Sequence, residues 1–563
     1  MADVQLKNPE EIKPLQRLWH LIAKEKKEVV AIYFYAIMSG LVQLSVPVGV
    51  QAIVGFVLGA SMVTSIFILI MLLVLGVLMV GIFQMNQMKI IEKIQQNIFV
   101  HYSFAFAETI PRFDLKKTDK YYLPEKVNRF FDVMNVQKGF SKILLDMPIA
   151  IIQIVFGLLL LSFYHPAFII FGVFLLFILW LIGKLYSKKG IITSLLESNY
   201  KYAVAGWLEE MARVIHSFKL SQGSHINLSK TDGEVSNYLI SRTAHFKVLL
   251  FQYKTLVSFK VVITAAMLFI GSYLLVNQQL NVGEFIAAEI VILMVIGAVE
   301  KLIVSLESVY DVITGLEKLA SITESPLEQS GSMPFADTDE AILVEFEDFS
   351  FGFYKNKLIL KNINCTIQPN GIASISGSSG SGKSMLLKVL SGNYSDFSGS
   401  ILLNKIPISN YDLEQLRGKT GIYSHYIELF QGTVWENISL GRSQITINNV
   451  TAIARELGIE TFLSSLHNGF ETMIGPMGKK LPSTIAKKIL LLRALAGQPK
   501  LLLLEEPWIG LDEKTKNKMQ QYLLNKKYNH TVFIVNNDEA FARQCDYNIL
   551  LENGSIHSIK TKV

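Results

Sequence analysis

The run Gly377-Ser378-Ser379-Gly380-Ser381-Gly382-Lys383-Ser384 carries residue types whose spacing can hold a phosphate chain. It fits the phosphate-loop pattern of glycine, four residues, then Gly-Lys-Ser. Glycines let the backbone wrap an anion without Cβ clashes, and amides at a helix N-terminus point at the charge. Lys383 would bridge the outer phosphates, and the Ser384 hydroxyl would ligate Mg²⁺. Glycine and serine alone make only a pliable loop, so the flanks decide. Before the loop, Ile372–Ser376 alternates as a strand; after it, 385–391 reads as a helix stopped by Gly392. Strand, glycine loop and helix together predict nucleotide binding.

The rest of the chain must carry that loop in a particular setting. Of its 563 residues, 50% are hydrophobic and only 18% charged, too apolar for an ordinary soluble protein and indicative of membrane spans. The net charge of +6 is modest, and no nucleic-acid partner is expected. The two cysteines, Cys365 and Cys545, suit a reducing cytosol and imply neither a disulfide framework nor a cysteine metal site. The stretch 1–8 is polar and lacks a cleavable signal pattern.

Residues 10–28 set Ile12, Leu15, Leu18, Trp19 and Ile22 at helical spacing among charges. They predict an amphipathic helix at the membrane surface, or a soluble lead-in. Six apolar segments follow, at 29–50, 62–83, 147–164, 167–183, 256–276 and 285–304. Each is near the ~20 residues that cross a bilayer as helix. His165-Pro166 and 277–281 are tight turns, whereas 84–146 and 184–255 are long and polar. No Lys or Arg lies between Lys27 and Lys89, nor between Lys142 and Lys184. The positive-inside rule therefore places the N-terminus, both long loops and everything after the sixth segment in the cytoplasm.

Within the loops, 89–109 and 199–218 read as helices continuing the spans. Each loop is expected to turn through a short helix that touches the nucleotide domain, near 113–121 and 212–220. Pro47 is expected to bend the first span. Lys260 can snorkel to the inner surface, Glu300 and Lys301 are expected to be solvated, and Glu289 is either a headgroup-level carboxylate or part of a substrate path. The polar stretch 322–341, with two prolines, reads as a linker between a membrane domain at 1–321 and a strand-rich domain at 342–563.

Six spans with long extensions, followed by this cassette, resemble a half-transporter of the ATP-binding cassette (ABC) exporter superfamily over nearly the whole chain. Leu144-Leu-Asp-Met-Pro148 is similar to the branch that secretes peptides and proteins. The resemblance implies a membrane all-α six-helix transmembrane domain followed by an α/β P-loop nucleotide-binding domain. It implies ATP and Mg²⁺ as cofactors, an inner (plasma) membrane location, and a lipid bilayer and a periplasmic secretion adaptor among the partners. Two chains would sandwich each ATP between one phosphate loop and the other chain's signature. ATP closure would tilt the spans outward, and hydrolysis would reset them.

Carried over residue by residue, the resemblance puts Phe353 where an aromatic ring stacks on adenine. Leu501-Leu-Leu-Leu-Glu505-Glu506 matches the second nucleotide motif, with Glu505 near Mg²⁺ where the family has Asp, and Glu506 as general base. Gly510-Leu511-Asp512 follows as the family pattern requires. Three positions depart from it. His425 stands where a Mg²⁺-sensing Gln is usual. Leu481-Pro482-Ser483-Thr484 replaces the start of Leu-Ser-Gly-Gly-Gln, with the proline in the first helical turn. Asn537 replaces the switch histidine and can donate a hydrogen bond but not shuttle a proton. Losing one preorganised donor typically costs about 10²–10³ in rate, so slow ATP hydrolysis is expected. These departures favour pairing with a different, more complete half-transporter over a second copy. The rival reading is an ATP-binding, catalytically weak regulatory or scaffold subunit of a secretion complex. No peptidase domain is expected ahead of the first helix, and the substrate is not legible.

Overall fold

The computed structural model describes residues 14–59, 63–119, 121–221, 224–335, 340–354, 357–478 and 481–562. Two compact units result, one of 14–111 and 121–325, the other of Arg112–Asp119 with 326–562. The expectations for 10–13, and for the loop near Ser61, lie outside the described residues.

The first unit is helical. Pro14–Lys24 is the amphipathic entry helix, burying Leu18 and Leu21 and leaving Trp19 66% exposed. Its Arg17 pairs with Glu324 at 2.7 Å and with Glu317, which pins it to the end of the last helix. Among the described residues, five helical segments are long and apolar enough to cross a membrane: Lys26–Leu58, Thr64–Arg112, Leu123–Tyr164, Ile226–Val276 and Val282–Thr323. A sixth apolar stretch, Ala167–Trp180, begins a 47-residue helix, Ala167–Arg213. At 1.5 Å per residue such a helix is about 70 Å long, more than twice the hydrocarbon thickness, so the polar halves must extend beyond it.

Pro47 acts upstream of itself. The first span is two helices, Lys26–Gln43 and Ser45–Leu58, with the break at Leu44. Proline offers no N–H and crowds the carbonyl four residues back, here that of Gln43. Glycines draw the third and sixth spans together: a Cβ on Gly139 would stand 2.5 Å from Val312, and one on Gly157 2.7 Å from Val295. Pro148 is accommodated inside the unbroken helix Asp132–Tyr164. Glu300, read from the sequence as solvated, has a side chain 40% exposed and also accepts from Lys260 Nζ at 2.7 Å. A charged pair on adjacent helices lowers the cost of holding either charge at membrane depth. One carboxylate oxygen of Glu289 is buried without a hydrogen-bond partner.

The second unit holds two main sheets and a two-stranded pairing of Gly432–Thr433 with Met473–Ile474. Leu360–Ile367, Val344–Phe351, Ser398–Leu403 and Ile406–Pro407 form an antiparallel sheet in that order. The larger sheet runs Ser555–Thr561, Tyr547–Glu552, Ile372–Ser376, Thr531–Val535, Leu501–Glu505, Thr420–Tyr423. Its last five strands are parallel and its first is antiparallel. Leu501–Glu505 and Thr531–Val535 are buried at every residue, as central parallel strands must be.

Two segments from outside the cassette proper belong to this unit. The loop after the second span turns through Leu115–Thr118, where Lys116 pairs with Asp396 at 2.8 Å and lies over the Phe351 ring. The stretch read as a linker is helix as far as Thr323, and 326–335 then packs within the second unit. Arg417 holds Glu328 through two 2.7 Å bonds, and Phe335 packs on Tyr411 with centroids 4.9 Å apart. In the other long loop Ile215–Leu220 forms a short helix of the first unit.

Candidate nucleotide site

Strand order builds the site. Parallel register aligns Ile375 with Val535, Val535 with Glu505, and Leu504 with Tyr423. Four loops leave these strands at their carboxyl ends side by side: the phosphate loop, Asn536-Asn537, Glu505-Glu506 and Ser424-His425. Ligands of open α/β sheets bind at this edge.

The phosphate loop has the backbone that its glycines permit. Gly377, Gly380 and Gly382 have φ of 146°, 81° and 101°. A Cβ on Gly377 would run into the Leu551 carbonyl, and one on Gly382 would stand 2.6 Å from Leu360. Both the left-handed backbone and the crowding therefore require glycine there. Lys383 opens the helix Lys383–Leu390 and folds its Nζ back onto the carbonyls of Gly377 and Ser378, 2.7 Å from each. Ser381 is buried, while Ser378, Ser379 and Ser384 are accessible. Gly392, at φ 75°, follows the helix end.

Glu505 is 8% exposed and accepts from two hydroxyls, those of Ser384 and Ser424. Ser424 was not singled out from the sequence, and nothing in its local context marks it. A carboxylate beside the loop hydroxyl is an oxygen donor set suited to Mg²⁺. With the glycine cradle and Lys383, the residues present fit a magnesium–nucleotide.

Glu506 has a left-handed backbone, φ 45°, rare for a side chain of this size. Its amide donates to Val535 O at 2.8 Å, which fixes the turn. Asn537 Nδ2 donates to Glu506 Oε1 at 3.2 Å, and His425 Nε2 lies 3.7 Å from Glu506 Oε2. Neighbouring Asn536 is structural, being buried and bonded to Ser374. Burial raises the Tyr426 phenol to about 12, so it stays neutral beside the site with Lys388 over its ring.

Two sequence-predicted residues, Phe353 and Pro482, sit differently from expectation. Phe353 is half-buried, its ring met edge-on by Phe351 and Tyr394 at 5.6 and 5.7 Å, so core packing claims part of it. Tyr354 next to it, missed from the sequence, is 74% exposed. Pro482 is not inside the first helical turn; it is the residue before the helix Ser483–Leu495, and its carbonyl accepts from Ile485 and Ala486. Ser483 and Thr484 are exposed on that first turn, and Leu481 bonds back to Gly478. The signature segment does not join the cluster around Glu506; its described bonds are local. At the far end of the same helix Arg493 reaches the Glu428 carbonyl at 3.0 Å and the Asn437 side chain at 2.9 Å, tying the helix to the His425 loop.

This combination defines a class: a multi-pass membrane domain fused to a P-loop ATPase-type domain. The family model for the ABC transporter transmembrane region matches 29–299, and that for the ABC transporter matches 360–508. The chain belongs to the ABC transporter family, as a fused half-transporter of the exporter type.

It is similar to the "ATP-dependent lipid A-core flippase" of Pseudoalteromonas atlantica, 24% identical over 72% of this chain and 69% of that one. It is 27% identical to "Alpha-hemolysin translocation ATP-binding protein HlyB" of Escherichia coli O157:H7, over 51% of this chain and 41% of that one. With "ABC-type transporter kk1G" of Curvularia clavata it shares 31% identity over 42% of its length but only 18% of the relative's. The match thus spans less than half the length of these last two relatives. A solved structure, "Structure of a bacterial Atm1-family ABC exporter with ATP bound", superposes with TM-score 0.83 over 95% of both chains at 15% identity, which shows the fold.

Proposed function

We propose that this chain is one half of an ATP-driven exporter in the inner membrane, with its termini and both long loops cytoplasmic. The carrying observation is the convergence of Lys383, Ser384, Glu505 and Glu506 at one sheet edge of a chain that also holds the spans. Bound Mg-ATP supplies the phosphoanhydride whose cleavage drives the cycle. Lys383 and the loop amides hold the phosphates, Ser384 and Glu505 hold the metal, and Glu506 draws a proton from the attacking water. Phe353 or the more exposed Tyr354 stacks on the base. Leu481–Thr484 faces the partner's nucleotide rather than its own.

Turnover is slow in this reading, because exposed Ser483 and Thr484 side chains obstruct close backbone approach and Asn537 carries no charge. A different half-transporter with an intact signature is the preferred partner. Reverting Asn537→His and His425→Gln together with Pro482→Ser, Ser483→Gly and Thr484→Gly is expected to raise ATPase of the purified homodimer by about tenfold or more. High turnover of the unaltered homodimer, with no gain on reversion, overturns this account.

Topology has its own check. Single cysteines at Ser61 and Asn277 are expected to react with an impermeant maleimide from outside, and one at Ser224 is not. Outside labelling at Ser224 sinks the orientation.

A further inference from the structure

Two of the altered positions meet on one carboxylate. Asn537 Nδ2 holds Glu506 Oε1 at 3.2 Å, and His425 Nε2 stands 3.7 Å from Glu506 Oε2. A carboxylate that takes a proton from water works only when it is oriented, and its backbone does part of this: φ is 45° and the amide is tied to Val535. The remaining freedom lies in the carboxylate plane, which falls to its two neighbours. Asn537 supplies one donor and nothing more. An imidazole adds a second donor on the opposite oxygen.

The loop that carries His425 is set for this. Tyr423 ends the strand paired with Leu504, and Ser424 is 3% exposed with its hydroxyl on Glu505. On the other side Tyr426 lies under Lys388. His425 is thus the exposed residue between two anchored ones, free to rotate through the short distance to a hydrogen bond. Contacts of this kind are commonly long without substrate and tighten with it.

We propose that His425 is the positioning residue of Glu506, a histidine relocated from the strand end at Asn537 to the neighbouring loop. The two substitutions are then one compensated exchange rather than two separate losses. The slow turnover proposed above is then set by the signature and by the imperfect reach of the relocated ring, rather than by the missing charge of Asn537 on its own. This rests on the reading of Glu506 as the general base.

The test is single-turnover cleavage of γ-labelled ATP by the full chain in lipid nanodiscs, with ATP affinity measured in parallel. His425→Gln is expected to lower the cleavage rate constant by about tenfold or more while affinity is unchanged. Adding Asn537→His to His425→Gln is expected to restore cleavage to the wild-type rate or above. In a Glu506→Gln background, His425→Gln is expected to change nothing further. A merely structural histidine would not be rescued from another loop. Unchanged or faster cleavage in His425→Gln, or no rescue by Asn537→His, overturns the relocation while leaving Glu506 as base. Loss of affinity in His425→Gln overturns it also, since the residue then serves binding. Full cleavage in Glu506→Gln, or none in the wild type, overturns the assignment of the base itself and the relocation with it.

Discussion

Lys383→Ala is expected to abolish binding of a labelled ATP analogue while leaving the chain folded. The lysine's Nζ is held 2.7 Å from two loop carbonyls, those of Gly377 and Ser378, at the mouth of a cradle shaped by glycines. The cradle's conformation is a property of Gly377, Gly380 and Gly382, so it survives the substitution. What is lost is the one flexible cation of the loop, against a ligand that carries several negative charges. Equilibrium binding to the detergent-solubilised chain, beside a circular-dichroism spectrum, reads both halves of the expectation. Undiminished binding with native helicity shows that the nucleotide sits elsewhere.

Glu506→Gln is expected to lower ATP turnover by about 10²–10³ while the nucleotide still binds. The amide keeps the shape of the side chain and an oxygen for Asn537 Nδ2, which lies 3.2 Å away in the wild type. It removes the basic lone pair that takes the proton from water. Glu505 is not expected to substitute, because its two oxygens already accept from Ser384 and Ser424. Phosphate release by the full chain in nanodiscs, with trapped nucleotide counted in the same sample, measures the effect. Turnover near the wild-type rate transfers the role of base to another group.

The two effects differ in kind, and the residues explain why. In the proposed reading Lys383 meets charge already present in bound nucleotide, so its loss is expected in affinity. As the proposed base, Glu506 meets a proton only as the bond to phosphorus changes, so its loss is expected in rate. A partner chain with an intact signature is expected to alter the second and not the first.

Several features were legible because they are local. The phosphate loop announces itself through glycines at positions where φ is positive and a Cβ is excluded, a requirement written residue by residue. The spans follow from hydropathy, which demands only that a continuous apolar segment be long enough. Pro47 signalled a bend in the first span, which the structure makes a break between two helices. That the break falls at Leu44 follows from the same residue's clash one turn back. Leu115–Thr118 and Ile215–Leu220 lie where the two long loops were expected to turn.

What the tertiary structure decided is which distant segments meet, because pairing across a parallel sheet leaves no mark in local sequence. Thr531–Val535 inserts between Ile372–Ser376 and Leu501–Glu505, and only that order sets Asn537 beside Glu506. Thr420–Tyr423 pairs on the outer side of Leu501–Glu505, and only that brings Ser424 to Glu505 and His425 to Glu506. The same holds for Lys260 with Glu300, and for Arg417 with Glu328, pairs 40 and 89 residues apart. In the sequence those charges stand in apolar or linker-like surroundings, where solvation is the simplest expectation. Residue chemistry by itself determined the kind of ligand, through a glycine loop, a lysine and two acids. Strand order determined the company those acids keep, since a carboxylate's role depends on the donors within a few ångströms of it.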